Sequence, residues 1–85
     1  MLGTIIVLYK RYVDVVALID KEAKITPLFI IWDNGVKYSI DKIIDIRNAT
    51  SQVGGCGVLY KCQINNQTRN IFLERNRWFI ESYRP

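Results

Sequence analysis

Gly54-Gly55-Cys56-Gly57-Val58-Leu59-Tyr60-Lys61-Cys62-Gln63-Ile64-Asn65-Asn66-Gln67 is the stretch that decides the fold. A glycine cluster runs into a strand whose Val58, Tyr60, Cys62 and Ile64 share one face. Asn65-Asn66 then turns the chain, and residues 68–73 return with Ile71 and Leu73 aligned. Trp78-Phe79-Ile80 adds a third short aromatic run after Glu74-Arg75-Asn76. Alternation of period two between turn residues is the pattern of a small antiparallel sheet.

Upstream the same punctuation repeats. Residues 12–19 read as a strand with Val13, Val15, Ala17 and Ile19 on one face, stopped by Asp20-Lys21-Glu22. Residues 25–32 are apolar on both faces, as in a central strand, and Pro27 belongs near that strand's start or on an exposed edge because it has no N–H to donate. Asp33-Asn34-Gly35 is the strongest hairpin signal, since Asn and Gly tolerate the positive φ of a tight two-residue turn. Val36, Tyr38 and Ile40 alternate with Lys37, Ser39 and Asp41, and the phase shifts at Ile43-Ile44, which predicts a bulge that bends the strand. A short helix over residues 40–46 competes, because Ile40, Ile43 and Ile44 also fit one helical face; the β-branched residues favour the strand. Residues 48–57 read as the one substantial loop.

The chain has 85 residues, 49% of them apolar and 12% aromatic. A chain of this size buries only roughly 60 to 65% of its unfolded surface and has material for one core. The expectation is a single all-β domain spanning residues 1–85, with five to six antiparallel strands forming a small, partly open, SH3-like barrel. The apolar run Leu2 to Tyr9 is far short of the roughly 18 to 20 residues needed to cross a bilayer. Its positive charges, Lys10 and Arg11, follow it instead of preceding it, unlike a secretory signal. A cytoplasmic protein with no membrane partner is expected.

Pro27 to Trp32, Tyr38-x-Ile40, Gly54-Gly55-x-Gly57-x-x-Tyr60, and Leu73 with Arg77-Trp78-Phe79 together resemble a group of small uncharacterised bacterial β-barrel-like domains. The resemblance covers roughly residues 13–81. It implies a free-standing β domain and no particular activity.

Chemistry is sparse. With no histidine, the commonest acid–base group and the Ser-His and Cys-His nucleophile systems are missing. Two cysteines without histidine cannot make a four-ligand zinc site within one chain, which leaves only a site shared across a dimer, and the Gly54 to Gly57 cluster lacks the Lys-Ser/Thr ending of a phosphate loop. Cys56 and Cys62 lie about 20 Å apart if the intervening strand is extended, too far for a disulfide. Cys62 reads as a small buried hydrophobe and Cys56 as a reduced thiol by a glycine turn. No cofactor, metal or enzymatic activity is expected.

Two binding readings remain. The N-terminal run offers Ile5, Val7 and Tyr9 either to close the barrel or as an edge for a protein partner or a homodimer. The runner-up is single-stranded nucleic acid. Residues 58–85 hold Lys61, Arg69, Arg75, Arg77 and Arg84 against Glu74 and Glu81, five positive against two negative, so a net +3 of the chain's +4 lies there. Tyr60, Phe72, Trp78, Phe79 and Tyr83 interleave with that charge, the mixture of a base-stacking surface. Lys61, Arg69, Arg75, Arg77 and Tyr83 are its candidate contacts. Trp32 and Trp78 are read as core pillars instead.

Overall fold

The computed structural model describes residues 7–83. Among them the chain forms seven strands: β1 (Tyr9–Ile19), β2 (Ile25–Ile31), β3 (Lys37–Ser39), β4 (Lys42–Thr50), β5 (Cys56–Ile64), β6 (Gln67–Glu74) and β7 (Arg77–Ser82). All pairings are antiparallel, in the order β3-β2-β1-β7-β6-β5-β4. The all-β, partly open barrel is therefore present. Seven strands stand where five or six were expected, and their spatial order departs from chain order where β1 pairs with β7.

β1 accounts for that arrangement. Its residues Tyr9 to Val13 pair with β7, and Asp14 to Ile19 pair with β2. One long strand thus belongs to two sheets, the device by which a sandwich turns a corner. The strand expected over residues 12–19 begins earlier, at Tyr9, and takes in Lys10 and Arg11, each of which finds a partner. Lys10 meets Glu74 on the outer face, and Arg11 lies over Trp32 on the inner one.

Bulges supply the remaining curvature. Ile44 is an extra residue between the Ile43–Cys62 and Asp45–Lys61 pairs, as the phase shift predicts, and the competing helix does not form. Leu28 is a second extra residue, between the Phe29–Val16 and Pro27–Ala17 pairs. Pro27 is fully buried, not on an exposed edge. β3 pairs only with residues 29–31, so at Pro27 the β3 side has no ladder bond to lose.

β3 and β4 do not pair, and the two residues between them bridge the gap. The Ile40 amide donates to the Leu28 carbonyl of β2, and the Asp41 amide to the Gln63 carbonyl of β5, both at 2.9 Å.

Three connections share one design. At Asp20, Trp32 and Ser51 the carbonyl accepts from the amide three residues on, and the amide donates to the carbonyl four residues on. This is a three-residue loop closed by one left-handed residue. That residue is Ala23 (φ 65), Gly35 (φ 81) or Gly54 (φ 92). The Asp33-Asn34-Gly35 turn therefore needs a positive φ only at Gly35, and Asn34 instead accepts the Val36 amide at 3.0 Å. The loop expected over residues 48–57 shrinks to residues 51–55, because Asn48 to Thr50 continue the ladder with Cys56 to Val58. Asn65 and Asn66 both take positive φ, 51 and 62, and make the tight two-residue turn.

The main core lies inside the curl, where Ile30 from β2 packs with Tyr60, Cys62, Ile64 and Ile71 from β5 and β6. Trp32 and Trp78 pack against it, Trp78 tilted on Tyr60 with ring centres 5.3 Å apart. Leu59, Phe72 and Phe79 form a second small core on the opposite face of β5 to β7. No helix among the described residues is long and apolar enough to cross a membrane.

Candidate binding surfaces

A cluster of charged groups lies over the second core. Phe72 and Phe79 stack nearly parallel, with ring centres 4.9 Å apart, and Tyr12 meets Phe79 edge-on. Lys10 crosses above, its Nζ 4.5 Å from the Phe79 ring centre and 2.8 Å from Glu74 Oε2. Tyr12 donates to the other oxygen of Glu74 at 2.8 Å. The bond from Lys10, then that from Tyr12, holds Glu74 below the usual carboxylate range, and Glu74 in turn raises Lys10. Glu81 is similarly occupied, accepting from the Ser51 hydroxyl at 3.0 Å and the Gln52 amide at 2.9 Å. These carboxylates fasten the 51–55 loop and the β1 rim over the outer core. Each has its hydrogen-bonding role in the fold.

The five expected nucleic-acid contacts fall into two groups. Lys61, Arg69 and Tyr83 border an open groove of about 860 Å³, together with Arg11, Trp32 and Tyr38. Lys61 and Arg69 leave the sheet from opposite faces, because Lys61 shares a face with Leu59 of the outer core and Arg69 shares one with Ile71 of the inner core. The groove therefore wraps around the end of the sheet beside the Asn65-Asn66 turn. Arg11 places its guanidinium 4.4 Å over the Trp32 ring and pairs with Asp33, and Arg69 donates to Gln67 Oε1 at 2.7 Å.

Arg75 and Arg77 lie at the other end of β6 and β7. Six extended residues, about 20 Å, separate Arg75 from Arg69. Arg77 places its guanidinium carbon over the Tyr12 ring, 3.4 Å from its centre, and Arg75 holds the β6–β7 turn with a φ of 56. The structure gathers Lys61, Arg69 and Tyr83 and places Arg75 and Arg77 apart from them.

Of the expected interface residues, Val7 and Tyr9 are exposed, and Tyr9 opens β1 opposite Ser82. Ile5 lies outside the described residues. Cys56 and Cys62 are free thiols; Cys62 is fully buried, and burial pushes its thiol up to about 11. No group of three or more potential ligands among the described residues could hold a metal.

The free edge of β4 escapes sequence reasoning. The strand is nine residues long and pairs with β5 alone. Ile44 and Ile46 are 48% and 43% exposed along it. Alternation marks the side chains that face a core but not a strand that ends a sheet. The signal that could have found it is the Ile43-Ile44 bulge, since bulges concentrate at sheet edges. Arg11 was hidden in the same way, as an apparent stop after an apolar run.

No protein-family model, curated protein or solved structure matches the chain.

Proposed function

We propose that the protein is a non-enzymatic binding module that engages another protein chain through the free edge of β4. The observation that carries this reading is a nine-residue strand with one unpaired side and two half-exposed isoleucines. A free strand edge templates strand addition, and the charges of Asp45 and Arg47 with the Ile44 bulge restrict which strand it accepts. The reading rests on the site and not on the fold, because small barrels host many unrelated functions. The two free thiols accord with a reducing, cytoplasmic setting. The test is capture on immobilised protein compared with an Ile46→Lys variant, whose charge lies on the edge and outside the core. A partner retained by the wild type and lost on Ile46→Lys supports the edge; identical retention by both sinks it.

A second reading has its own observation. The groove that brings Lys61, Arg69 and Tyr83 to the Arg11–Trp32 stack combines cations with aromatic faces, as single-strand binding requires. Fluorescence anisotropy with a short single-stranded oligonucleotide at two salt concentrations tests it. Binding that weakens steeply with salt, and weakens further in Arg69→Ala, supports the reading. No binding at low salt removes it.

A further inference from the structure

We infer that the chain which pairs with β4 is a second copy of β4 itself, joined antiparallel about a two-fold axis at Ile46. This rests on the edge reading and adds to it the identity of the partner and the register.

The register follows from alternation and charge. An antiparallel pair puts directly opposed residues on the same face. A two-fold axis perpendicular to the sheet keeps the apolar faces of both copies on one side, and this requires the axis to pass through a residue position. Six residue centres, 45–50, fall in the regular part of the strand beyond the Ile44 bulge, and those at Asn48, Ala49 and Thr50 leave Asp45 and Arg47 without an opposite charge across the axis. Centring on Asp45 would oppose Asp45 to itself, and centring on Arg47 would oppose Arg47 to itself. Centring on Ile46 places each Asp45 opposite Arg47 of the other copy, twice by symmetry, with Ile46 against Ile46.

The same register accounts for three features of the edge. Asp45 and Arg47 are on one face, their charged atoms 3.6 Å apart within the strand, and both are well exposed. A second copy gives each a cross-strand partner without moving the backbone. Ile46 alternates with them and faces the concave side, opposite Tyr60 in the ladder. Its half-exposed side chain then meets its own symmetry mate, extending the apolar interior across the axis. Past the bulge, where Ile43 and Ile44 together face Asn48, Lys42 comes beside Ala49 and Thr50, so no like charges meet along the strand. An interface of this kind is isologous and closes at two chains.

Sedimentation equilibrium of the purified protein from low micromolar to submillimolar concentration tests the inference. The expected wild-type mass rises to twice 9.9 kDa. Arg47→Asp opposes two pairs of aspartates and should weaken association by more than about tenfold. The swapped double variant Asp45→Arg with Arg47→Asp recreates both pairs and should restore the dimer. Thermal melting of each variant at low concentration confirms that the exposed changes leave the fold intact. A wild type that stays monomeric throughout overturns the inference, as does an Arg47→Asp dimer of undiminished strength or a double variant that stays apart. A monomeric wild type that still captures a partner lost on Ile46→Lys overturns self-pairing while leaving the edge reading in place.

Discussion

The hydroxyl of Tyr60 donates to the carbonyl oxygen of Ile25 at 2.8 Å, a hydrogen bond from β5 to the first residue of β2. These strands are not neighbours in the sheet, so the bond crosses the interior and fixes the distance between the two halves of the curl. Tyr60→Phe keeps the ring against Trp78 and leaves the Ile25 carbonyl without this donor. The expected loss is about 1 to 2 kcal/mol, measured by urea denaturation.

Directly beside it, Cys62 sets an alkaline limit. Its thiol is shifted from 9.0 to about 11 by burial, and the hydroxyl of Tyr60 is raised by burial and by the neighbouring thiol. Both groups are neutral when protonated, so the unfolded chain loses these protons first as pH rises. This contribution is fully present below pH 9 and declines between pH 9 and 11, by about 1.4 kcal/mol per pH unit for the thiol. Cys62→Ala should flatten most of that decline in melting curves taken from pH 8 to 11.

At the acid end the sign reverses. Glu74 is held below its ordinary value by Lys10 and Tyr12, so the folded state keeps it ionised where the unfolded state has begun to protonate. Its contribution is present above the usual carboxylate range and disappears as pH falls through the lowered value. Melting temperatures from pH 6 down to pH 2 should fall less steeply for Glu74→Gln than for the wild type.

Ala23 occupies the left-handed position that glycine fills in the two sister loops. An L-residue there costs roughly 1 to 2 kcal/mol, part of which glycine loses again through chain entropy. Ala23→Gly should therefore stabilise the protein by about 0.5 to 1 kcal/mol. Gly35→Ala should destabilise it by a similar amount in the same denaturation assay.

Gly57 is a steric requirement instead. A Cβ there would overlap the carbonyl of Leu73 on the neighbouring strand, and backbone cannot move aside cheaply. Gly57→Ala is expected to cost about 3 kcal/mol, within the range of overpacked sites. Amide exchange should show the loss concentrated where β5 leaves the 51–55 loop.

The parts legible in the sequence are those set by local chemistry. The Asn65-Asn66 turn, the bulge at Ile44 and the buried Cys62 follow from φ preference, from phase and from residue size. What escaped depends on partners distant in the chain. Lys10 and Arg11 look like a strand terminus until Glu74 and Trp32 are brought beside them. Phe72 and Phe79, read with the basic charge as part of a base-stacking mixture, are instead buried in the core on the outer face of β5 to β7. Tyr83 and Arg69 were named from composition and do share a groove. Arg75 and Arg77 were named on the same ground, but a strand of eight residues carries its two ends to opposite rims. Composition counts charges without measuring the distance between them.

The pairing of Tyr9 to Val13 with Trp78 to Ser82 has a consequence for how the protein is made. Among the described residues β1 is made before every other strand yet is completed only by β7, and the β2–β3 hairpin that follows pairs with β1 alone. The N-terminal half must wait, its apolar face uncovered, while β4 to β7 are synthesised. Closure then requires bringing together residues some sixty-five positions apart, the costliest loop in the molecule and the step expected to limit its folding rate. Until that step both faces of the early strands lie open to other chains, so the interval between synthesis and closure is when this protein is most exposed to misassembly.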